Sequence, residues 1–264
     1  MTSRGPIAPS TPLMVVDDAG VATISLNRPA HRNRLEDEDL RTLLRHFDRI
    51  DAQPQVRVLK LTANTQGQPK PVFCAGYHIG SFSAQDGDPR LFERVADALA
   101  ALRPITVCAL NGSVYGGATD LVLACDLGVG LAGIEFRMPA TAIGLHYYPG
   151  GLKRYVERLG VAAAKRAFLT ARPFSAEMLL DLGCVQALAA PQDFDAEVTR
   201  LVEEVASLAP LAVQATKQSL NEIAGGREDL EVLRAREAMT ARSRDFAEGR
   251  AAFQERRKPR FTGE

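Results

Sequence analysis

The hydrophobic pattern of the first half of the chain alternates between strand-like and helix-like segments. Short apolar runs typical of strands lie at 14–27, 56–63, Ile105–Leu110, Leu127–Leu131 and 134–138. The first of these contains an Asp-Asp-Ala-Gly turn and therefore predicts two strands. Apolar residues recur at the three- and four-residue spacing of amphipathic helices in residues 36–53 and 89–103, and residues 117–125 predict a short apolar helix. This alternation predicts an α/β fold in which strands are buried between helices.

After residue 150 the pattern becomes mainly helical. Helices are predicted over 151–170, 176–182, 194–209, 211–224 and 228–257, with one strand at 185–188. The N-terminal segment MTSRGPIAPSTP shows neither the alternation of a strand nor the three- and four-residue spacing of a helix, which indicates a loose tail. We therefore predict three parts, which are a flexible tail over 1–12, an α/β core over 13–200 and a C-terminal helical region over 201–264.

The charge balance argues against a nucleic-acid-binding protein. Lys and Arg together number 32, as do Asp and Glu, so the formal net charge is zero. A broad basic surface is therefore not expected, although a local cluster of cations could still bind a small anion. No apolar run reaches the roughly 18 residues that a membrane helix needs, and the N-terminal segment lacks the apolar part of a signal peptide. We expect a cytoplasmic protein.

The cysteines provide no signal for a metal site. Cys74, Cys108, Cys125 and Cys184 have no CxxC spacing, so neither a zinc site nor a redox motif is expected. Most have apolar neighbours, which is typical of small buried side chains in a reducing compartment. We expect no bound metal.

Two glycine-containing loops each follow an apolar strand. In residues 111–120, NGSVYGGATD, Gly117 lies where a helix is expected to begin, and Asp120 lies about one turn further on. The N–H groups at a helix start lack partners within the helix and favour negative charge, and glycine lets a ligand approach the backbone. Gly76 has a similar place in residues 72–79, VFCAGYHI, before a second predicted short helix.

This pair of loops suggests an oxyanion hole. Each loop could donate one N–H to the same oxygen, and paired donors stabilise the charge that develops on a carbonyl oxygen during a reaction. A purely structural interpretation is also open. In it, Gly117 allows close helix packing and Asp120 complements the helix dipole.

The order and spacing of several motifs resemble the enoyl-CoA hydratase/isomerase (crotonase) superfamily along nearly the whole chain. The matching segments are NRP at 27–29 with RNRL at 32–35, FCAGYHI at 73–79, PITVCALNGSVYGGATD at 104–120, CDL at 125–127, residues 136–151, LTAR at 169–172 and RRKPRF at 256–261. The resemblance implies a core of repeated ββα units in a superhelix. It also implies a homotrimer or a dimer of trimers, with the C-terminal helices in the interface.

The resemblance further implies a site for an acyl-CoA thioester. The backbone N–H groups of Tyr77 and Gly117 would form the oxyanion hole for the thioester carbonyl. The CoA moiety would bind beside the two N-terminal motifs, and its implied contacts are Arg28, Arg32, Arg34, Ala75, Tyr77, His78, Ile79 and Lys258. Coenzyme A would be part of the substrate, and no permanently bound cofactor is expected.

The chain departs from the family pattern at its acid/base positions. Typical hydratases use two glutamates, and the matching positions here are Asp120 and Ala140. Asp120 retains an acid on a shorter side chain, whereas Ala140 cannot transfer a proton. A histidine, His78, replaces the carboxylate of the family's AGxD loop. His146 and Tyr148 are therefore additional catalytic candidates, because histidine suits acid–base work near neutral pH and tyrosine can donate a proton. Tyr147 is a weaker catalytic candidate.

These features leave three functional hypotheses. The leading one is an enoyl-CoA hydratase/isomerase-like enzyme with atypical acid/base residues. Within the enzyme class, the alternatives are double-bond isomerisation, hydrolysis or C–C cleavage of an acyl-CoA. The hypothesis from another class is a non-catalytic acyl-CoA-binding subunit, which the alanine at position 140 motivates.

Overall fold

The computed structural model describes residues 10–78 and 88–264. The strands in these ranges are β1 (Leu13–Val16), β2 (Val21–Leu26), β3 (Val58–Ala63), β4 (Val72–Cys74), β5 (Ile105–Leu110), β6 (Ser113–Tyr115), β7 (Leu127–Leu131), β8 (Glu135–Arg137), β9 (Phe174–Ser175) and β10 (Ala187–Ala189). The helices are α1 (Asp37–Asp51), α2 (Leu91–Ala101), α3 (Ala118–Ala124), α4 (Pro149–Thr170), α5 (Ala176–Asp181), α6 (Phe194–Ala206), α7 (Pro210–Ala224), α8 (Leu230–Ala241) and α9 (Arg244–Glu255). No helix in these ranges is both long and apolar enough to cross a membrane.

The strands form two sheets. The large sheet has the order β1-β2-β3-β5-β7-β10, and the small sheet has the order β4-β6-β8-β9. Neighbouring strands are parallel except for the antiparallel edge pairs β1/β2 and β8/β9. In chain order β3, β5 and β7 enter the large sheet, and the strand after each enters the small sheet before a helix follows. The predicted α/β class and the ββα repeat are both confirmed.

The core forms where β5 passes through the centre of the large sheet. All six residues of β5 are buried because β3 and β7 flank it on both sides. Its one polar residue, Thr106, has its hydroxyl and its backbone N–H satisfied by the carboxylate of Asp126, at 2.9 and 2.7 Å. A buried polar group costs stability unless it is hydrogen-bonded, and these bonds remove that cost.

The C-terminal helices are anchored to the same strand by a buried cation. Lys217 in α7 is only 7% exposed, and its ammonium donates to the carbonyl of Pro104 at 2.8 Å. It also forms an ion pair with Asp126 at 2.7 Å. Because both partners lie beside the ends of β5 and β7, the helical region is fixed against the centre of the sheet.

The structure differs from four of the predicted segments. Residues 72–74 and 113–115, which we predicted as loops, are the strands β4 and β6. The helix predicted over 228–257 is wrong, because α8 ends at Ala241 and Ser243 accepts the N–H of Phe246 as the N-cap of α9. The helix predicted over 151–170 is interrupted at Gly160, whose φ of 76° is left-handed.

The predicted division into three parts stays a prediction. Its boundary at 200/201 falls inside α6. Within the predicted tail, the N–H of Ser10 donates to the carbonyl of Asn27 at 2.9 Å, so this end of the tail contacts the core. The short helix that we predicted after Gly76 lies outside the described residues.

Candidate active site

The two glycine loops meet because they follow neighbouring strands of the small sheet. Strands β4 and β6 are parallel partners, with Val72 opposite Ser113, so their carboxyl ends lie at the same edge. Gly76 follows β4 and Gly116 follows β6. A Cβ added to Gly76 would lie 2.9 Å from the carbonyl oxygen of Tyr115 and 3.5 Å from the Cα of Gly116. The loops therefore touch at a point where only glycine fits.

The peptide groups at this contact have fixed orientations. The carbonyl of Gly76 accepts the N–H of Leu35 at 2.9 Å. The carbonyl of Gly116 accepts the N–H of Thr119 at 3.0 Å and its hydroxyl at 2.6 Å. In a trans peptide the C=O and the following N–H point in opposite directions. The N–H groups of Tyr77 and Gly117 therefore point away from Leu35 and from the body of α3.

Asp120 lies one turn into α3 and is fully enclosed. Its side chain is 0% exposed, and Arg154 of α4 contacts both carboxylate oxygens, with Nε 3.0 Å from Oδ1 and Nη2 2.7 Å from Oδ2. The hydroxyl of Tyr148 donates to Oδ2 at 2.5 Å. Arg154 also reaches Asp97 of α2 at 2.6 Å. Burial alone would lower the pKa of Arg154, but its bonds to Asp120 raise it above the ordinary value.

Two tyrosines stack beside this ion pair. The rings of Tyr147 and Tyr148 are 4.1 Å apart, and the Tyr147 hydroxyl donates to that of Tyr148 at 3.0 Å. Gly151 makes room for them, because an added Cβ would lie 2.2 Å from the Tyr147 ring. Burial, followed by the charge of Asp120, raises the pKa of Tyr148 well above its usual range. This hydroxyl therefore stays protonated at neutral pH.

The other predicted catalytic positions differ in their surroundings. Ala140 is 4% exposed and begins a short 3-10 helix, so nothing at this position can move a proton. His146 is exposed, and no hydrogen bond in the described part of the chain connects it to Asp120. The backbone N–H of His78 donates to the carbonyl of Leu35 at 2.9 Å, which fixes the loop that carries Tyr77.

Most of the predicted CoA contacts lie around the same loop. Arg28 forms an ion pair with the buried carboxylate of Asp39 at 2.9 Å, and Arg34 pairs with Glu36 at 2.7 Å. Arg32 is exposed, and its carbonyl accepts the N–H of Ala75 at 2.9 Å. The bond between Arg32 and Ala75 joins the segment that follows NRP to the glycine loop. Ile79 lies outside the described residues.

Lys258 is the one predicted CoA contact in the C-terminal segment. It lines a surface cavity of about 760 Å³ whose lining residues all belong to α9 and the C-terminal segment. None of the other predicted CoA contacts in the described ranges lines this cavity.

Sequence reasoning missed two residues of this site. Arg154 was missed although it lies in the helix that begins right after Tyr148, one turn from its start. Phe92 was treated only as part of an amphipathic helix, but its ring covers Gly117. A Cβ added to Gly117 would lie 2.9 Å from the Cζ of Phe92. The unusual run Gly116-Gly117 beside a helix with a large apolar residue is the signal that could have indicated this contact.

Repeated ββα units with two glycine loops meeting at one sheet edge define the crotonase fold. The chain belongs to the enoyl-CoA hydratase/isomerase family, since the model of that family matches residues 17–264. This family acts on CoA thioesters.

Relatives and solved structures agree with this assignment. The mitochondrial enoyl-CoA hydratase domain-containing protein 2 of Bos taurus is 33% identical, over 93% of this chain and 85% of that protein. The (E)-benzylidenesuccinyl-CoA hydratase of Thauera aromatica is 30% identical, over 92% of this chain and 96% of that one. The crystal structure of an enoyl-CoA hydratase from Bacillus anthracis superposes with a TM-score of 0.83 at 26% identity, covering 95% and 99% of the two chains.

Proposed function

We propose that this protein binds an acyl-CoA thioester and stabilises the enolate that forms from it. The thioester oxygen would accept one hydrogen bond each from the N–H groups of Tyr77 and Gly117. The observation that carries this proposal is the contact of Gly76 with Gly116, with both carbonyls directed into the protein. A thioester is a poor carbon acid, and each donor at the developing charge is worth about 3 kcal/mol. Coenzyme A is then part of the substrate.

Proton transfer in this proposal uses Asp120 together with Tyr148. Asp120 is enclosed, whereas Tyr148 is half-buried and its hydroxyl lies between Asp120 and Tyr147. The Tyr148 hydroxyl donates its one proton to Asp120. Its oxygen would therefore accept a proton from a substrate carbon while its own proton passes to the Asp120 carboxylate, and the reverse transfer would return a proton to the substrate. A proton would move between a carbon next to the thioester and this pair. His146, which is exposed, is a secondary candidate.

The reaction proposed is hydratase- or isomerase-type chemistry on the double bond of an enoyl-CoA. Moving a double bond needs one acid/base group, whereas adding water usually needs two, and Ala140 supplies none. Incubation with a panel of enoyl-, hydroxyacyl- and β-ketoacyl-CoA substrates distinguishes the reactions by product mass. Hydration adds the mass of water and isomerisation leaves the mass unchanged. Hydrolysis releases free CoA, and C–C cleavage gives two smaller products.

Removing the Tyr148 hydroxyl tests the proton-transfer pair. Tyr148→Phe and Asp120→Asn are each expected to lower kcat by about 10²–10⁴-fold, the usual contribution of a positioned acid or base. Tyr115→Phe is the matched control, because among residues 10–78 and 88–264 its hydroxyl bonds only to the exposed Glu135, at 3.3 Å. Turnover by both site variants at the wild-type rate would exclude the pair from proton transfer.

A non-catalytic acyl-CoA-binding subunit is the second candidate. The observation in its favour is that Arg154 occupies both oxygens of Asp120 while position 140 is alanine. Tight binding of CoA thioesters without turnover of any panel member would support it. In either case we propose Arg28, Arg32, Arg34, Ala75, His78, Ile79 and Lys258 as the CoA contacts.

We also propose a homotrimer or a dimer of trimers in the cytoplasm. The C-terminal helices expose large apolar side chains, among them Phe246 at 51% and Phe253 at 86%. Both line an apolar cavity of about 650 Å³ together with Phe261. Exposed apolar patches of this kind are typical of interfaces. Sedimentation at micromolar concentration is expected to give at least a trimer, and a monomer would contradict the proposal.

A further inference from the structure

Phe92 lies between the proposed oxyanion hole and the proton-transfer pair. Three atoms of its ring would be 2.9, 3.1 and 3.2 Å from a Cβ on Gly117. The ring centroid is 5.9 Å from that of Tyr77 and 6.2 Å from that of Tyr148. Phe92 is therefore in contact with the residues that supply both N–H donors and the hydroxyl.

The path of the acyl group follows from these positions. If the thioester oxygen binds at Tyr77 and Gly117, the carbons next to it must approach Tyr148, because that is where proton transfer takes place. The span from Gly117 to Tyr148 is the one that the Phe92 ring covers. An acyl chain therefore has to pass along this ring.

The far end of this span is closed by packed aromatic side chains. Tyr147 is only 6% exposed, and its ring lies 5.5 Å from Phe168 and 6.4 Å from Tyr155. Tyr148 is fixed by its bond to Asp120. A chain that extends beyond Tyr148 would meet this cluster, which has no room for extra methylene groups at the packing density of a protein interior.

Phe92 differs from the other two rings because no polar bond fixes it. The Tyr77 hydroxyl donates to Asp37 at 2.5 Å, and that of Tyr148 donates to Asp120. Phe92 is 8% exposed and is positioned by packing alone. Shortening this side chain therefore opens space along the acyl path without breaking a hydrogen bond.

We propose that Phe92 is the specificity-determining residue that restricts the substrate to short acyl chains. This inference rests on the proposed acyl-CoA function. It adds a substrate class, since an acyl chain that passes the Phe92 ring would meet the packed rings of Tyr147, Tyr155 and Phe168.

The test compares chain-length preference in wild type, Phe92→Ala and Phe92→Leu. The kcat/KM for 2-hexenoyl-CoA, which is two methylenes longer, is divided by that for crotonyl-CoA. Wild type is expected to prefer crotonyl-CoA, and Phe92→Ala is expected to raise the ratio at least about tenfold, within the range that one or a few methylenes contribute to discrimination. Phe92→Leu should raise the same ratio by a smaller factor. Because leucine keeps most of the buried side chain, this variant also provides the measurement if the alanine variant does not fold.

Phe47→Ala is the matched control for loss of a buried phenyl ring. Phe47 is 3% exposed and lies in α1. Its removal should lower stability and leave the ratio unchanged. A wild type that prefers 2-hexenoyl-CoA, or a ratio that is equal in wild type and both Phe92 variants, would overturn the inference.

A binding measurement separates this inference from the proposed chemistry. Dissociation constants for butyryl-CoA and hexanoyl-CoA are measured for the same proteins by titration calorimetry. If no substrate is turned over but Phe92→Ala still improves hexanoyl-CoA binding relative to butyryl-CoA at least about tenfold, the catalytic proposal fails and the role of Phe92 is supported. Equal relative affinities in wild type and variant would overturn the role of Phe92 itself.

Discussion

Replacing Arg154 with methionine is expected to lower the free energy of unfolding by about 3–5 kcal/mol, because it leaves a buried carboxylate without its partner. Asp120 is 0% exposed and Arg154 is 11% exposed, so water cannot take over the role of the guanidinium. The Tyr148 hydroxyl alone would remain to stabilise the charge. Urea denaturation followed by circular dichroism measures the loss.

Two further variants show that the effect comes from the unpaired charge. Adding Asp120→Asn to Arg154→Met is expected to recover much of the lost stability, since the amide is neutral and still accepts from Tyr148. Arg200→Met is the surface control. Arg200 is 56% exposed and pairs with Glu197 and Glu204, so its loss should cost less than about 1 kcal/mol. Equal losses for Arg154→Met and Arg200→Met would contradict the structural role of the buried pair.

The second large effect is expected at Gly76. In Gly76→Ala, the added Cβ would meet the Tyr115 carbonyl oxygen at 2.9 Å and would push the two glycine loops apart. The N–H groups of Tyr77 and Gly117 would then no longer reach the same oxygen. The loss of one such donor typically lowers kcat by about 10²–10³-fold. Steady-state kinetics on the best CoA thioester of the panel measures it.

Gly67→Ala separates this collision from backbone strain. Gly67 has a φ of 77° and Gly76 a φ of 97°, so both substitutions place alanine in a left-handed conformation. Nothing lies within 4 Å of a Cβ on Gly67. We expect Gly67→Ala to lower thermal stability slightly and to leave kcat unchanged. If both alanine variants had the same kcat, the contact between the loops would not control catalysis.

The glycine loops could be predicted from the sequence because their signals are local. A glycine after an apolar run, followed by an apolar helix, indicates a backbone donor within about ten residues of chain. Asp120 was recognisable for the same reason. The strand Ser113–Tyr115 was missed because three residues between glycines carry too little periodicity to distinguish a strand from a turn.

The partners of the acids could not be predicted, because they come from distant parts of the chain. Arg154 is 34 residues along the chain from Asp120, and Lys217 is 91 residues from Asp126. No single-sequence pattern relates two charges across such distances. The break at Ser243, by contrast, had a local signal, since a serine followed by Asp245 is a good helix start. The helical periodicity continues on both sides of Ser243, so the sequence was interpreted as one helix.

The neighbouring positions of β4 and β6 have a consequence for how this scaffold can change its chemistry. Adjacent strands are separated by about 4.8 Å because the hydrogen-bond ladder fixes that spacing. Two peptide groups directly beyond such a pair are held at a separation that the backbone sets, provided that Gly76 remains a glycine. Side chains outside the two loops, such as Ala140 in place of an acid, can then be exchanged without altering that separation. In the proposed site, the two N–H donors would therefore stay in place while the acid/base residues change.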